Sequence, residues 1–535
     1  MKKINLNIMI RVLFIISSPF FTIMLSNRYD YKITIIGAIL TFLISILVDY
    51  KYIKKVYFEK RIILISFFIS MYSLKYYINF ENNFVKKMND LVKYNFGIVF
   101  DDFFYKIIIL ASIPFFSVLI YLLIKKIIPI IKQFYCNLSK NEKQFLLIIS
   151  FFGLFISTVI PFVTTAFSIP VYNNKVCFYD VIYTSDSGTL TYGDAFFNVS
   201  YVENDIRQPL FGIFSLPFSI VGKIIAEILF FIPKNYEYAS AMTFIQFILL
   251  SISTILISRM LKLKESEKKY FYLLVSISFP YMLFSIVLEQ YVIGLFYLIL
   301  TCYYFYENKI RPNYFYVGAV GTMLTSGIVF PLISEIKNLK KYIIDTVKCF
   351  FAFLSVLIVS GQFPQIFLIS DNFRSLTSAF AKKSGFIDKI YQFINFVKGI
   401  IMAPKGGKIV EIFNHPSYQL TDVKNVAIIG VIVLLIVILG YILNRKNKFA
   451  NFCMLWVIFS SIILLFIGWG TAENGLILYS LYFAFAYLSL FYLFFRRVIK
   501  NDRIFEIFMI FLCLVIFACN IKELINIFSF AIKYY

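Results

Sequence analysis

Thirteen apolar runs, each close to the roughly 20 residues that a helix needs to cross a bilayer, constrain this chain more than any other feature of it. They fall at 7–25, 32–49, 62–79, 106–124, 144–168, 238–258, 270–287, 290–306, 343–361, 426–443, 450–469, 475–495 and 504–530. A backbone in lipid has to satisfy its own N–H and C=O groups, so runs of this kind predict helices. Composition agrees, since 60% of the 535 residues are hydrophobic and only 15% are charged. The expected fold is an all-α polytopic membrane protein with a bundle of about 13 transmembrane helices. Two further tracts do not count as simple spans. Pro217, Lys223 and Glu227 predict that 209–232 lies at, or re-enters, the interface, and 313–335 reads as a broken hairpin turning near Thr325-Ser326-Gly327.

Lysine and arginine in short connectors set the orientation. Basic clusters at 51–61, 125–143, 259–269, 445–448 and 496–503 predict cytoplasmic loops, so the net charge of +23 is mostly topology, with attraction to anionic membrane lipids as a second effect. Nucleic acid need not be invoked. The two long outer loops then run at about 169–208 and 361–425. The basic, apolar start "MKKINLNIMIRVLFIISSPFFTIML" lacks a small-residue cleavage site and reads as a retained first helix. Of the seven cysteines only Cys177 is expected to face outward, so no disulfide framework is expected. The 65 Phe and 39 Tyr come with abundant Ile, Lys and Asn, as an AT-rich gene gives, and are not read as a cofactor cage.

Soluble-enzyme motifs are absent: there is no Gly-rich phosphate loop, no His-Glu-x-x-His and no Cys-x-x-Cys. His415 is the single histidine, which excludes histidine-rich metal sites and most nucleophile triads. Chemistry here has to rest on carboxylates. The outer stretch "YTSDSGTLTYGDAFFNVSYVENDIRQPLFGIF" supplies Asp186, Asp194 and Asp205, followed by Arg207. "APKGGK" at 403–408 has the residues of a phosphate binder without the spacing of a P-loop, and reads as a simple turn ahead of a phosphate contact.

The order of these pieces carries a resemblance. Asp186 in "TSDSG", Arg207 in "RQPLFGIFSLPF", Arg259 closing the helix at 238–258 and Glu289 in "FSIVLEQYVIG" follow one another with matching sidedness. Together they resemble the GT-C class of membrane glycosyltransferases, over about 144–495, and "GWGTAENGLILYSLYF" is similar to uncharacterised bacterial proteins of that kind. The resemblance implies a glycosyltransferase module at 144–535 and leaves 1–143 as an added transmembrane module of unknown role. It implies transfer of a sugar from a polyprenyl-phosphate carrier to a glycan, lipid or protein acceptor on the extracytoplasmic face of the cell membrane, with inversion. No cofactor is implied, and a divalent metal fits the class in some members. The paired prolines usual after the basic residue are reduced to Gln208-Pro209, and the basic residue often found in the following hairpin is replaced by Thr325-Ser326-Gly327.

Within that reading Asp186 is the general base, because an acceptor hydroxyl needs a base within hydrogen-bond reach. Arg207 and His415 are expected at the donor phosphate, and Asp194, Asp205, Glu289 and Glu473 around the substrate. Each also has a plain reading: Asp186 as a helix cap or turn residue, Arg207 as an interface anchor, His415 and Glu473 as loop and turn residues, and Asp194 and Asp205 as solvated loop charges. Two other functions compete. A lipid-linked saccharide flippase or transporter would favour internal repeats and midplane charges, which are not evident. A polysaccharide polymerase or ligase would concentrate arginine in its outer loops, whereas Arg207 and Arg374 stand among lysines.

Overall fold

The computed structural model describes residues 6–26, 30–75, 77, 82–98, 102–192, 196, 207–233, 236–307, 313–329, 339–367, 378, 381, 385–404, 407–420, 427–471 and 476–535. Among them, ten helices are long and apolar enough to cross a membrane, and a bent pair raises the number to eleven if it forms one span. The chain is an all-α polytopic membrane protein, apart from two small β-hairpins. It divides into two compact units: 1–138 with 198–216 and 343–370, and 139–197 with 217–342 and 371–535.

In the first unit, α1 (Leu6–Leu25), α2 (Tyr31–Lys51), α3 (Lys60–Leu74), α4 (Asn83–Phe96) and α5 (Asp102–Cys136) follow in order. Helices in lipid gain nothing from burying oil against oil, so small polar residues and close packing join them. Ser18 donates to Ser45 at 3.0 Å, Thr22 to Thr41 at 2.7 Å and Ser117 to Ser70 at 3.1 Å. Phe14 stacks on Phe115, and Phe21 on Phe116. Arg11 meets Asp49 through two bonds of 2.8 and 2.7 Å, which neutralises a buried carboxylate.

The second unit contains α6 (Lys140–Val159), the short α7 (Ser187–Thr191), α9 (Glu237–Met260), α10 (Glu265–Ile277), α11 (Phe279–Ile286), α12 (Tyr291–Glu307) and α13 (Asn313–Thr322). The preceding α8 (Phe211–Ile228) is continuous through Pro217 and passes as a span by length and composition. Further along the chain come α14 (Leu339–Val359), which from residue 343 belongs to the first unit, and then, in the second, α15 (Phe386–Gly399), α16 (Ile428–Asn444), α17 (Lys448–Ser461), α18 (Leu476–Val498) and α19 (Asp502–Tyr534). The centre of the second unit is formed by α9 and α18, whose apolar windows are 83% and 94% buried. Trp456 donates from Nε1 to the Tyr482 carbonyl, and Tyr487 bonds Ser460, so these two aromatic side chains keep their polar tips satisfied.

Pro280 bends α10 against α11 by 64°. The Ile277 carbonyl freed at that break accepts Asn520 Nδ2 at 2.7 Å, while Asn520 Oδ1 accepts the Ala403 N–H. One buried amide on α19 thus meets the carbonyl that the bend leaves open and ties it to the 401–403 segment. After α13 the chain breaks at Met323 into a 3-10 turn, Leu324–Ile328, with the Tyr316 hydroxyl on the Gly327 carbonyl. The far arm of the expected hairpin lies outside the described residues.

The two ends of the second unit differ in chemistry. At one end Arg259 grips the buried Glu142 carboxylate through bonds of 2.9 and 2.5 Å, Lys268 reaches it at 2.9 Å, and Arg496 joins Glu267 to Asp502. The starts of α6 and α19 both lie here. Their far ends meet where Thr165 N–H and hydroxyl bond the Tyr535 carbonyl, and the Tyr535 hydroxyl bonds the Pro416 carbonyl, so the loop segments 165–192 and 407–420 of the second unit lie at this end. All seven cysteines are free thiols. Cys177 is buried, just past the hairpin of strands β1 (Val171–Tyr172) and β2 (Lys175–Val176).

Candidate functional site

At the loop end, the first outer loop folds back on the α11–α12 corner. The Leu288 N–H donates to the Phe167 carbonyl at 3.2 Å, and Thr191 Oγ1 bonds the Ser168 carbonyl at 2.8 Å. Gly188 is required by closeness rather than by its torsion, since a Cβ there would stand 2.2 Å from the Cys177 carbonyl oxygen. These contacts hold the turn that carries Asp186.

Glu289 lies beneath that turn with no exposed surface. Its Oε1 accepts the Asp186 backbone N–H at 2.9 Å, its Oε2 accepts the Gln290 N–H at 3.1 Å, and its own N–H donates to Gln246 Oε1 at 2.9 Å. Gln246, on α9, also bonds the Phe284 and Val287 carbonyls. The carboxylate sits among backbone donors, which is how a buried charge is made tolerable. Glu289 therefore meets the Asp186 main chain, a contact the sequence does not announce.

From Val181 to Thr191 every residue is buried except Asp186, which is half-exposed. It precedes α7 without capping that helix through its side chain. On either side, the Ser185 and Ser187 hydroxyls are buried with no hydrogen-bond partner among the described residues. Unmet buried hydroxyls are uncommon and leave two polar groups for a ligand beside Asp186.

The backbone entering the turn is strained. Tyr183 and Thr184 have φ of 49° and 61°, a region that a β-branched residue such as Thr rarely visits. The second outer loop holds them there. Its strands β3 (Gly407–Ile412) and β4 (His415–Leu420) form an antiparallel hairpin, and the Tyr418 carbonyl accepts the Tyr183 N–H while the Tyr418 N–H donates to the Val181 carbonyl, both at 2.9 Å. Ser417 and Gln419 close on the Asp180 carbonyl. Glu523 of α19 then accepts both the Tyr183 and Tyr418 hydroxyls, at 2.8 and 2.7 Å. Burial pushes both phenols above the usual tyrosine value, and the Glu523 carboxylate adds to it.

The chain matches no family model, no curated protein and no solved structure. The site therefore rests on its own geometry. Among the expected residues the structure joins Asp186 to Glu289. His415 is buried, with Nε2 on the Tyr179 carbonyl at 3.1 Å, so it joins the hairpin to the loop that leads to Asp186. Arg207 is half-buried in the turn before α8, within the first unit. Asp194, Asp205 and Glu473 lie outside the described residues, as does the middle of the 403–408 stretch. No three His, Cys, Asp or Glu side chains group as metal ligands among the described residues.

Sequence reasoning missed Gln246, Tyr183, Tyr418 and Glu523. A glutamine in the middle of an apolar helix and a lone glutamate near the end of another were the available signals, since polar groups in a span are costly unless used.

Proposed function

We propose that this chain is a multi-pass membrane glycosyltransferase of the GT-C kind, which moves a sugar from a polyprenyl-phosphate carrier to a hydroxyl acceptor at the loop end of the bundle. The observation that carries the reading is the Asp186–Glu289 contact: a half-buried aspartate on a turn whose backbone is fixed by a second, fully buried carboxylate. A base has to be held in place to be effective, and Glu289 supplies that hold without competing for the acceptor.

In this reaction the acceptor oxygen attacks the anomeric carbon as Asp186 takes its proton, and the bond from that carbon to the phosphate oxygen breaks with its electron pair leaving on phosphate. One displacement inverts the anomeric centre. Ser185 and Ser187, whose buried hydroxyls lack partners among the described residues, are assigned to sugar or acceptor hydroxyls in this reading. The charge that develops on the leaving phosphate calls for a cation beside it. The basic end of the bundle is then cytoplasmic and the loop end extracytoplasmic.

The test is sugar transfer from labelled polyprenyl-phosphate donors by the full chain in proteoliposomes. Asp186→Asn keeps size and loses the base, so transfer should fall about 10²–10⁴-fold at matched expression. Wild-type turnover in Asp186→Asn would remove the base from this position. Failure of the unaltered chain with every such donor would remove the enzyme reading.

A further inference from the structure

The opposite, basic end of the second unit holds a cavity of about 910 Å³ that the proposed reaction does not use. Its wall carries Arg259, Lys262, Arg445, Lys446, Lys448 and Arg497, against one acidic residue, Glu307. Arg259 already serves Glu142, but Lys262, Arg445, Lys446 and Arg497 are exposed. Cations from three separate connectors converge on one concave space. Like charges repel in such an arrangement unless an anion joins them.

The wall is built rather than loose. Asn447 caps α17 through the Phe449 and Ala450 N–H groups and also donates to the Leu261 carbonyl at the end of α9. Tyr306 of α12 bonds the Lys448 carbonyl at 3.3 Å, and Asn444 donates to the Gly440 and Leu493 carbonyls. Lys262 occupies the position just past α9 with φ of 57°, where glycine or asparagine is the ordinary choice. A lysine held at that torsion trades backbone comfort for a side chain at the cavity.

Beside the cavity, α16 exposes Leu435, Leu439, Ile442 and Leu443, and Ile442 and Leu443 belong to the cavity wall as well. A lipid-facing stripe thus runs straight into a cluster of cations. We propose that this cavity is a binding site for an anionic phospholipid, with its phosphate among Lys262, Arg445, Lys446 and Arg497 and an acyl chain along the exposed face of α16. The apolar stripe favours a lipid over a soluble phosphate, and basic pockets between membrane helices are the usual places for such head groups.

Fluorescent phosphatidylglycerol binding to the full chain in phosphatidylcholine nanodiscs measures the site, with unlabelled phosphatidylglycerol, phosphatidylcholine or inorganic phosphate as competitors. Phosphatidylglycerol should displace the probe, and phosphatidylcholine and inorganic phosphate should not. Each cation removed should weaken binding about fivefold, so Arg445→Gln with Lys446→Gln should cost about 25-fold. The control pair Lys500→Gln and Arg503→Gln changes the same charge at exposed positions on the same end but off the cavity wall, and should leave the affinity unchanged. An equal loss in the control pair would mean a diffuse surface field and overturn the site. Displacement by inorganic phosphate as effective as by phosphatidylglycerol would overturn the lipid assignment.

Discussion

The Glu289 carboxylate accepts the backbone N–H of Asp186 at 2.9 Å, joining two residues 103 positions apart in the chain. This makes Glu289 a positioning residue, and its variants separate that role from acid–base chemistry. Glu289→Gln keeps an acceptor oxygen for the Asp186 N–H and should lower kcat less than Asp186→Asn does, with little change in KM. Glu289→Ala leaves buried N–H groups unmet, at about 1–3 kcal/mol, and should lower both thermal stability and kcat. Steady-state kinetics beside thermal unfolding in detergent check the pair. A Glu289→Gln variant as inactive as Asp186→Asn, yet fully folded, would place the proton transfer on Glu289.

The tyrosine clasp gives a pH dependence. Tyr183 and Tyr418 have phenols raised above their ordinary value by burial, with Glu523 adding to it, whereas in the unfolded chain they ionise near about 10. Below that pH both states hold the protons and the clasp contributes fully. Above it the unfolded chain loses protons that the folded chain keeps, so stability falls as pH rises. Thermal unfolding followed from about pH 8 to about pH 11 should show the fall, and Tyr183→Phe with Tyr418→Phe should flatten it. An unchanged slope in the double variant would assign the alkaline loss to other groups.

At the basic end, Glu142 is 1% exposed and carries Arg259 and Lys268 together. Removing one member of a buried ion cluster strands the others, so Glu142→Gln should cost about 3 kcal/mol, the low end of the range because Arg259 keeps some contact with solvent. Thermal unfolding measures the loss. Transfer per folded molecule should stay the same, since this cluster is at the end of the second unit away from Asp186.

Sidedness is testable by thiol labelling in a background with the exposed Cys136 and Cys519 replaced by Ser. Lys175→Cys, in the exposed hairpin of the first outer loop, should react with an impermeant maleimide in intact cells. Ser266→Cys, beside the basic cluster, should react only after the membrane is opened. The reverse pattern would turn the bundle over and move the site to the cytoplasm.

Sequence alone determined the membrane bundle and most of its helices, because a span is encoded locally: about 20 apolar residues and the cost of unpaired backbone in lipid leave few alternatives. It also marked the basic connectors and drew attention to Asp186 and Glu289, as carboxylates in an apolar chain stand out. Only the tertiary structure decided that Glu289 lies under the Asp186 turn, that His415 and Tyr418 sit on a hairpin pinned to residues 179–183, and that Glu523 of the last helix ties both tyrosines. The physical reason is one of range. Hydropathy and capping act over a turn or two of helix, whereas these contacts join segments separated by more than a hundred residues, and a hydrogen bond between them depends on where whole helices come to rest.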